Sequence, residues 1–578
     1  MGKKQEGILS AAFMMMVLLA LTKFVGFFKL HIFARFFGAS KELDVFWAAF
    51  TIPDIIFNIV AVGSINAALI PLFSEKLSEN GKRVSRFFAK ILNFLILIFI
   101  VLGVFVFIFA PQISNFIANN NLGLGSSDFN SADVELLTRL TRIMIFSPII
   151  LGVSSVFSAG IQVNKRFIVP ALAPLFYNIG IVLGTIVTVK YLNMGIPGLA
   201  ISVWVGTILH LLVQIPLAYR LNLKFRPLWG LFSENVVKAV KLSLPRVFGL
   251  IGEQVSIFVN TIIAIGLGAG SLSAYKYGSS IHLLPIHLIG STIAIAALPT
   301  LSIEYNKLRK GEKSDYAMLF VRSAQQILFF IMPAMVFTLV LRLPIVRLVL
   351  GAGNFDWTDT VVTSWVLALF VFAMFGESLL GLIVRAFYAM KNTVTPVITS
   401  FISLGVNILG SIYFTNFFSH YYDWRPVLEN IRNEGRTALV GYSQEMIRWF
   451  TTRNSSFSAV GGLALSAGIA VILNCIMLMV ILNRKVKVMT WDGFIKPFLK
   501  KLLASVVMFI TMYYVYQWWN FNLDTSTVLS IVGLFSFVGG IGFLVYLLVA
   551  FTIDIREISI FIELYRRLKG KFKSIEIQ

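Results

Sequence analysis

Charge is scarce in this chain. Asp, Glu, Lys and Arg make up 13% of its 578 residues against 57% hydrophobic ones, and histidine occurs five times. A water-soluble domain carries about a quarter of its residues charged. The shortage therefore excludes a soluble globular protein, and a mean hydropathy of +0.84 says the same. Cysteine is nearly absent: Cys475 stands alone in an apolar segment, which excludes an intrachain disulfide and a thiolate metal site. Acidic residues are the rarer sign, 27 against 49 Lys and Arg, for a formal net charge of +22. In a membrane protein loops facing anionic lipid account for that excess, so nucleic acid is not needed as a partner. Lys3 and Lys4 precede an apolar stretch that is too long for a signal peptide and has no A-x-A-like site after it, so it is expected to stay as a first transmembrane helix.

What the chain has is long apolar runs. About 20 residues suffice to cross the hydrocarbon of a bilayer. Fourteen such stretches occur, near 8–37, 45–72, 87–110, 136–160, 167–189, 196–218, 243–268, 276–300, 318–341, 360–386, 394–416, 458–482, 498–518 and 527–552. They predict an all-α polytopic membrane protein. Alternate connections hold the basic residues, among them Lys82, Arg83, Lys165, Arg166, Arg220, Lys241, Lys310, Lys391, Arg484 and Lys500, and the tail from Arg556 to Lys573 is basic too. The other connections are mostly neutral, so the positive-inside rule predicts cytoplasmic termini at both ends. Arg342, Arg347 and the 417–457 loop run against the trend.

An internal repeat is visible. The second run ends Ala68-Leu69-Ile70-Pro71-Leu72-Phe73-Ser74-Glu75 and the eighth ends Ala297-Leu298-Pro299-Thr300-Leu301-Ser302-Ile303-Glu304. Each also has an earlier proline and glycine, Pro53 with Gly63 and Pro285 with Gly290, and the turns Gln162–Pro170 and Tyr388–Pro396 have equal length. The unit is six helices, an even number, so the two copies share an orientation. They predict two pseudo-symmetric lobes with a substrate site between them, as alternating access requires. The division expected is 1–222 for the first lobe, 223–490 for the second with an outer-face insertion at 417–457, and 491–578 for helices thirteen and fourteen with a basic tail.

Polar residues inside these helices point to the site. Lys23 and Lys29 lie in the first run, and Asp54, Asn58 and Asn66 in the second. A cation near the bilayer centre is too costly to face lipid, so these residues predict a wet, electropositive cavity for something anionic; snorkelling to an interface is the alternative. Along its helix Lys23 is about 22 Å from the entry near Ile8, and Asp54 about 15 Å from Asp44. In a core of about 30 Å they come within reach, and a Lys23–Asp54 ion pair is expected, either a gate that an anion opens or a static pair. His282 and His287 point about 140° apart on one helix, which argues against a shared metal; one is expected to bond within the bundle and the other to line the cavity. Glu253 lies seven residues after Arg246 on the same face, about 10 Å away, so its partner is expected on the other lobe. Glu377 and Arg385 share a face in the same loose way.

Several segments resemble one family. Phe37-Gly38-Ala39-Ser40, Asp44, Phe50-Thr51-Ile52-Pro53-Asp54, Gly63 and Ala68-Leu69-Ile70-Pro71 are similar to the first two helices of the MurJ/MviN lipid II flippases. So are Ser147-Pro148-Ile149-Ile150-Leu151-Gly152, Pro170-Ala171-Leu172-Ala173-Pro174 with Tyr177-Asn178, Leu244-Pro245-Arg246 with Gly249, Gln254 and Asn260-Thr261, and Arg385-Ala386-Phe387-Tyr388-Ala389. The resemblance implies a member of the multidrug/oligosaccharidyl-lipid/polysaccharide exporter superfamily, with two lobes and two further helices thought to guide a polyprenyl tail. It also implies a substrate, an undecaprenyl pyrophosphate carrying a disaccharide and a peptide, and a cell-membrane location. Lys23 and Lys29 align with basic positions of the family's first helix. The departures are equally informative: many relatives carry an arginine pair where this chain has Phe57 and Asn58, an acidic residue at Val62, and a basic residue at Ser280. Either Arg246, His282 or His287 then supplies replacement charge, or the substrate head differs.

The sequence thus yields a substrate-binding set of Lys23, Lys29, Asp54, Asn58, Arg246, Glu253 and His282, with no catalytic residue, no metal ligand and no cofactor. Coupling to the membrane potential or to a cation is possible in chemical terms and unassigned. The runner-up functions are export of another polyprenyl-linked oligosaccharide or of a small molecule. A glycosyltransferase has only Asp356 and Asp359, three residues apart, in its favour. The 417–457 loop mixes Trp424, Arg425, Glu429, Arg436, Arg448 and Trp449; an amphipathic helix at 436–450 is expected, as a solvated cap or a docking site for wall-synthesis proteins.

Overall fold

In a computed structural model of the chain, the described residues form helices joined by short turns, with no strand among them. The structure describes all residues but 1, 63–68, 70–71, 74–80, 120–128, 224–232, 421–428, 430–431, 434–456, 523–526 and 560–578. The amphipathic helix expected at 436–450 and the tail beyond residue 559 lie outside the described residues, as do Gly63 and Asn66.

Fourteen long helices follow in chain order among the described residues. They are α1 Gly2–Phe37, α2 Lys41–Phe57, α3 Gly81–Asn119, α4 Ser131–Val163, α5 Ile168–Tyr191, α6 Gly195–Arg220 and α7 Glu234–Ile265. Then come α8 Ser271–Arg309, α9 Tyr316–Val340, α10 Trp357–Ala389, α11 Val394–His420, α12 Gly461–Lys485, α13 Trp491–Phe521 and α14 Val528–Thr552. Thirteen contain a stretch long and apolar enough to cross a membrane; α7 contributes the shorter apolar stretch Leu250–Ile265. Each falls on one of the fourteen apolar runs, so the protein is a multi-pass membrane protein. The first helix, Gly2–Phe37, spans the whole apolar run from residue 8.

The chain divides into two compact units. The first holds Met1–Ala274, Val349–Asp359 and Thr415–Val460; the second holds Tyr275–Leu348, Thr360–Phe414 and Gly461–Gln578. By packing, α7 belongs to the first unit, where it lies against α2 and α3, although it opens the second six-helix repeat.

The repeat is written into the backbone. Proline has no N–H for the helical ladder, and a wider π turn takes up the mismatch. After Pro53, α2 runs into a π-helical segment at Asn58–Val62; after Pro285, α8 does the same at Ile286–Ser291. The turns after α4 and α10 also match. Lys165 and Lys391 occupy equivalent places with φ of 59° and 58°. Lys165 N donates to Gln162 O at 2.8 Å and Lys391 N to Tyr388 O at 2.9 Å, while Arg166 N reaches Ile161 O and Asn392 N reaches Phe387 O. Both helices thus end in the same left-handed cap.

Within the first unit α5 and α6 pack closely along a stripe of small residues. A Cβ on Gly180 would stand 2.7 Å from Gly206 Cα, one on Gly206 2.7 Å from Tyr177 O, and one on Gly184 2.9 Å from Ser202 Cβ. In hydrocarbon, such close backbone approach is a main source of helix association. Within the second unit α9 is the common support. Tyr316 Oη donates to Ala386 O of α10 at 2.8 Å, and Tyr546 Oη of α14 donates to Phe329 O at 2.9 Å. Lys501 of α13 is fully buried; its Nζ donates to Gln325 Oε1 of α9 at 2.7 Å and pairs with Glu557 Oε2, beyond α14, at 3.1 Å.

Candidate functional site

The first unit gathers charged residues inside its membrane helices. Lys23 and Lys29 lie six residues, about 9 Å, apart along α1, and Asp54 lies within α2. Thr22, Gly26 and Lys29 share the face of α1 that meets α5. Asn178 Nδ2 donates to Thr22 O at 3.5 Å, and Lys29 Nζ lies 5.9 Å from the centre of the Tyr177 ring, within cation–π range. Asp54 and Lys23 both act electrostatically on Lys29, and Asp54 acts on Tyr177. Asn58 Nδ2 donates to Asp54 Oδ2 at 3.1 Å, one helical turn apart. The π turn begins at Asn58, next to the carboxylate. Lys23, Lys29, Asp54 and Asn58 therefore belong to one neighbourhood, with Tyr177 and Asn178 as its α5 wall.

Behind Tyr177 runs a polar chain that the sequence reading missed. The Tyr177 ring meets the His210 ring edge-on at 6.3 Å. His210 Nδ1 is 2.7 Å from Ser154 Oγ, Gln214 Nε2 donates to Ser154 Oγ at 2.6 Å, and Ser158 Oγ donates to Gln214 Oε1 at 2.8 Å. Ser154 and Gln214 are fully buried. The available signal was a pair of polar i, i+4 steps, Ser154 with Ser158 on α4 and His210 with Gln214 on α6.

The second unit holds another polar group. His282 is buried on α8, its ring stacked on Phe370 of α10 with centroids 4.2 Å apart, and its Nε2 lies 3.4 Å from Glu377 Oε2. Glu377 was grouped in sequence with Arg385, whose guanidinium instead donates to Gly381 O of its own helix at 2.8 Å. Ser280 Oγ donates to Lys276 O at 2.7 Å. Lys276 thus stands one turn before Ser280 on the same helix face. Arg246 lies on α7 with its side chain outside the described residues; Glu253 lies further along α7 and is exposed.

Two acidic residues at helix starts have structural partners. Asp44 Oδ2 accepts from Gly270 N at 2.7 Å, and its Oδ1 accepts from Ser273 N at 2.7 Å and Ser273 Oγ at 2.6 Å. Asp359 Oδ2 accepts from Ala39 N at 2.9 Å, and Asp356 Oδ1 accepts from Asp359 N at 2.8 Å. Asp356 and Asp359 thus satisfy backbone donors at the start of α10. Among the described residues no three His, Cys, Asp or Glu side chains converge as a metal site.

Comparison with known proteins gives one answer in sequence and in fold. A solved structure titled "Lipid II flippase MurJ, inward closed conformation" superposes with a TM-score of 0.72 at 23% identity, covering 94% of this chain and 99% of its own. An inward-facing multidrug resistance transporter of the MATE family superposes at 0.60 with 12% identity, covering 82% of this chain and 100% of its own, so the two share a fold. "Probable lipid II flippase MurJ" of Buchnera aphidicola subsp. Acyrthosiphon pisum is 25% identical over 69% of this chain and 77% of its own length. "Lipid II flippase MurJ" of Burkholderia cenocepacia is 22% identical over 87% of this chain and 88% of its own. The profile described as lipid II flippase MurJ matches residues 33–422, from late α1 to just past α11, and the chain belongs to the MurJ family.

Proposed function

We propose that this protein carries lipid II, an undecaprenyl pyrophosphate bearing a disaccharide and a peptide, from the cytoplasmic to the outer leaflet of the cell membrane by alternating access of its two six-helix lobes. The observation that carries this reading, beside family membership, is the group Lys23, Lys29, Asp54 and Asn58. A pyrophosphate needs cations where no hydrocarbon can solvate it, and ammonium groups are effective phosphate partners. Asp54 gives these lysines a partner when substrate is absent, so the charges are never left uncompensated. Transport of this kind forms and breaks no covalent bond, and the protein acts as a transporter.

Basic connections support cytoplasmic termini at both ends. The lysine pair argues against export of cationic drugs, which calls for acidic lining. Asn58 and Ser280, in place of cations common among relatives, favour a second reading in which the lipid-linked head group differs in charge; Lys276 beside Ser280 weighs against it. Voltage acts on any charge that moves across the bilayer, at about 2.3 kcal/mol per 100 mV, and the lysines are the groups through which it would act.

Reconstitution of the purified protein in vesicles containing fluorescent lipid II, under an inside-negative potential, tests this. Lipid protected in the inner leaflet should become accessible to a membrane-impermeant quencher faster than in empty vesicles, and a Lys23→Met/Lys29→Met double variant should lose the effect. A rate equal to that of empty vesicles contradicts the proposal.

A further inference from the structure

We propose that His210 is a proton-binding site in the first unit, served by the Ser154 hydroxyl, whose hydrogen moves between the imidazole and a backbone carbonyl. The surrounding bonds fix what each atom can do. Ser158 Oγ donates to Gln214 Oε1 at 2.8 Å, which turns the Gln214 amide nitrogen toward Ser154. That nitrogen donates to Ser154 Oγ at 2.6 Å. Ser154 therefore already accepts one bond and has its own hydrogen to place. Two acceptors are in reach, His210 Nδ1 at 2.7 Å and His210 O at 3.2 Å.

Two complete hydrogen-bond patterns follow from one set of atomic positions. In the first, Ser154 donates to Nδ1 and the neutral ring carries its hydrogen on Nε2. In the second, a proton from solvent has been added at Nδ1, which donates to Ser154 Oγ, while the hydroxyl rotates to donate to His210 O. A hydroxyl oxygen accepts two bonds and donates one, so Ser154, Gln214 and the ring Nδ1 keep partners in both states. A histidine whose nitrogen faced a fixed donor would have no such second state. The exchange forms one N–H bond on the ring, taken from and returned to water, and otherwise rotates one hydroxyl.

The groups facing His210 are Ser154 of α4, Tyr177 of α5 and, on its own helix α6, Gln214. Beyond Tyr177 lie Lys29 and Lys23 of α1 and Asp54 of α2. A proton on His210 adds positive charge behind the Tyr177 wall of that neighbourhood. An anion bound there and a proton on His210 then favour one another, and by linkage each raises the affinity for the other equally. This second part rests on the phosphate-binding reading of Lys23 and Lys29; the proton site itself does not.

The full-length protein in lipid nanodiscs, labelled with nitrogen-15 histidine, provides the test. There are five histidines, and His210→Gln assigns the signal by its loss. At about pH 8 the His210 signal should report a bare, hydrogen-bonded Nδ1 with Nε2–H, and it should convert to the doubly protonated form in a titration carried down to about pH 3. Ser154→Ala should lower the proton affinity about tenfold, since a bond to the charged ring is the stronger one lost; Ser154→Cys serves if the alanine variant does not fold. Added undecaprenyl pyrophosphate should move the midpoint upward, and Lys29→Met should abolish that movement. A His210 signal that stays neutral to about pH 3, or a neutral form with its hydrogen on Nδ1, overturns the proton site. A midpoint indifferent to undecaprenyl pyrophosphate overturns the coupling, whatever the outcome of the transport assay.

Discussion

Removing the Asp44 carboxylate should release the first turn of α8. Asp44 has no exposed surface, and its oxygens accept two backbone N–H groups and one hydroxyl from Gly270 and Ser273. A hydrogen bond to a charged acceptor contributes about 1.5–3 kcal/mol, part of which the cost of burying the carboxylate offsets. Counting only the two backbone bonds at the low end, Asp44→Ala should weaken closure of this turn by about 3 kcal/mol, or about a hundredfold in the opening equilibrium. Amide hydrogen exchange at Gly270 and Ser273 reads that equilibrium directly. Asp44→Asn keeps one acceptor oxygen, and its exchange should accelerate about tenfold. If exchange at both amides in the alanine variant stays within about threefold of the unmodified protein, the carboxylate is not what holds α8 to the start of α2.

Lys29→Met should lower transport by about tenfold or more, because one charge-assisted phosphate contact is lost, while Lys29→Arg should retain most of it; equal activity in the methionine variant in vesicles would remove Lys29 from the site. Lys23→Met leaves Asp54 without the partner proposed for it, and if both transport and expression survive, that pair is unimportant. Gly206→Ala places a methyl 2.7 Å from Ile181 Cγ1 and Tyr177 O; overpacking of about 1–3 kcal/mol should appear as an earlier thermal transition in detergent, and an unchanged transition refutes the tight α5–α6 contact. Lys501→Met removes the partner of the partly exposed Glu557 and of the buried Gln325, for a loss of about 1–3 kcal/mol. Adding Glu557→Gln should restore part of it, and no restoration in the same melt would mean the two residues are not coupled.

How far the sequence could be read depends on the range of each interaction. The helices were legible because apolar length is a local property, and every expected run has its helix. Pro53 and Pro285 announced the repeat, and the π turns that follow them show why: both helices accommodate the same missing donor. Lys23, Lys29, Asp54 and Asn58 stood out because polar residues in hydrocarbon need an explanation. Other contacts join residues far apart in sequence, where no local pattern specifies the partner. Asp44 meets Ser273 229 residues later, and Ser154 meets His210 56 residues later. His282 with Glu377 is a further case, since helical spacing suggested Arg385 for the carboxylate and only the packing of α8 on α10 supplies the histidine.

The most direct test of lipid II transport is made in cells. The protein is depleted, and the lipid-linked wall intermediates on each leaflet of the cell membrane are measured. A lipid II flippase predicts that lipid II accumulates on the cytoplasmic leaflet while its outer-leaflet pool falls. Unchanged lipid II pools, or accumulation of a different polyprenyl-linked sugar, would contradict it.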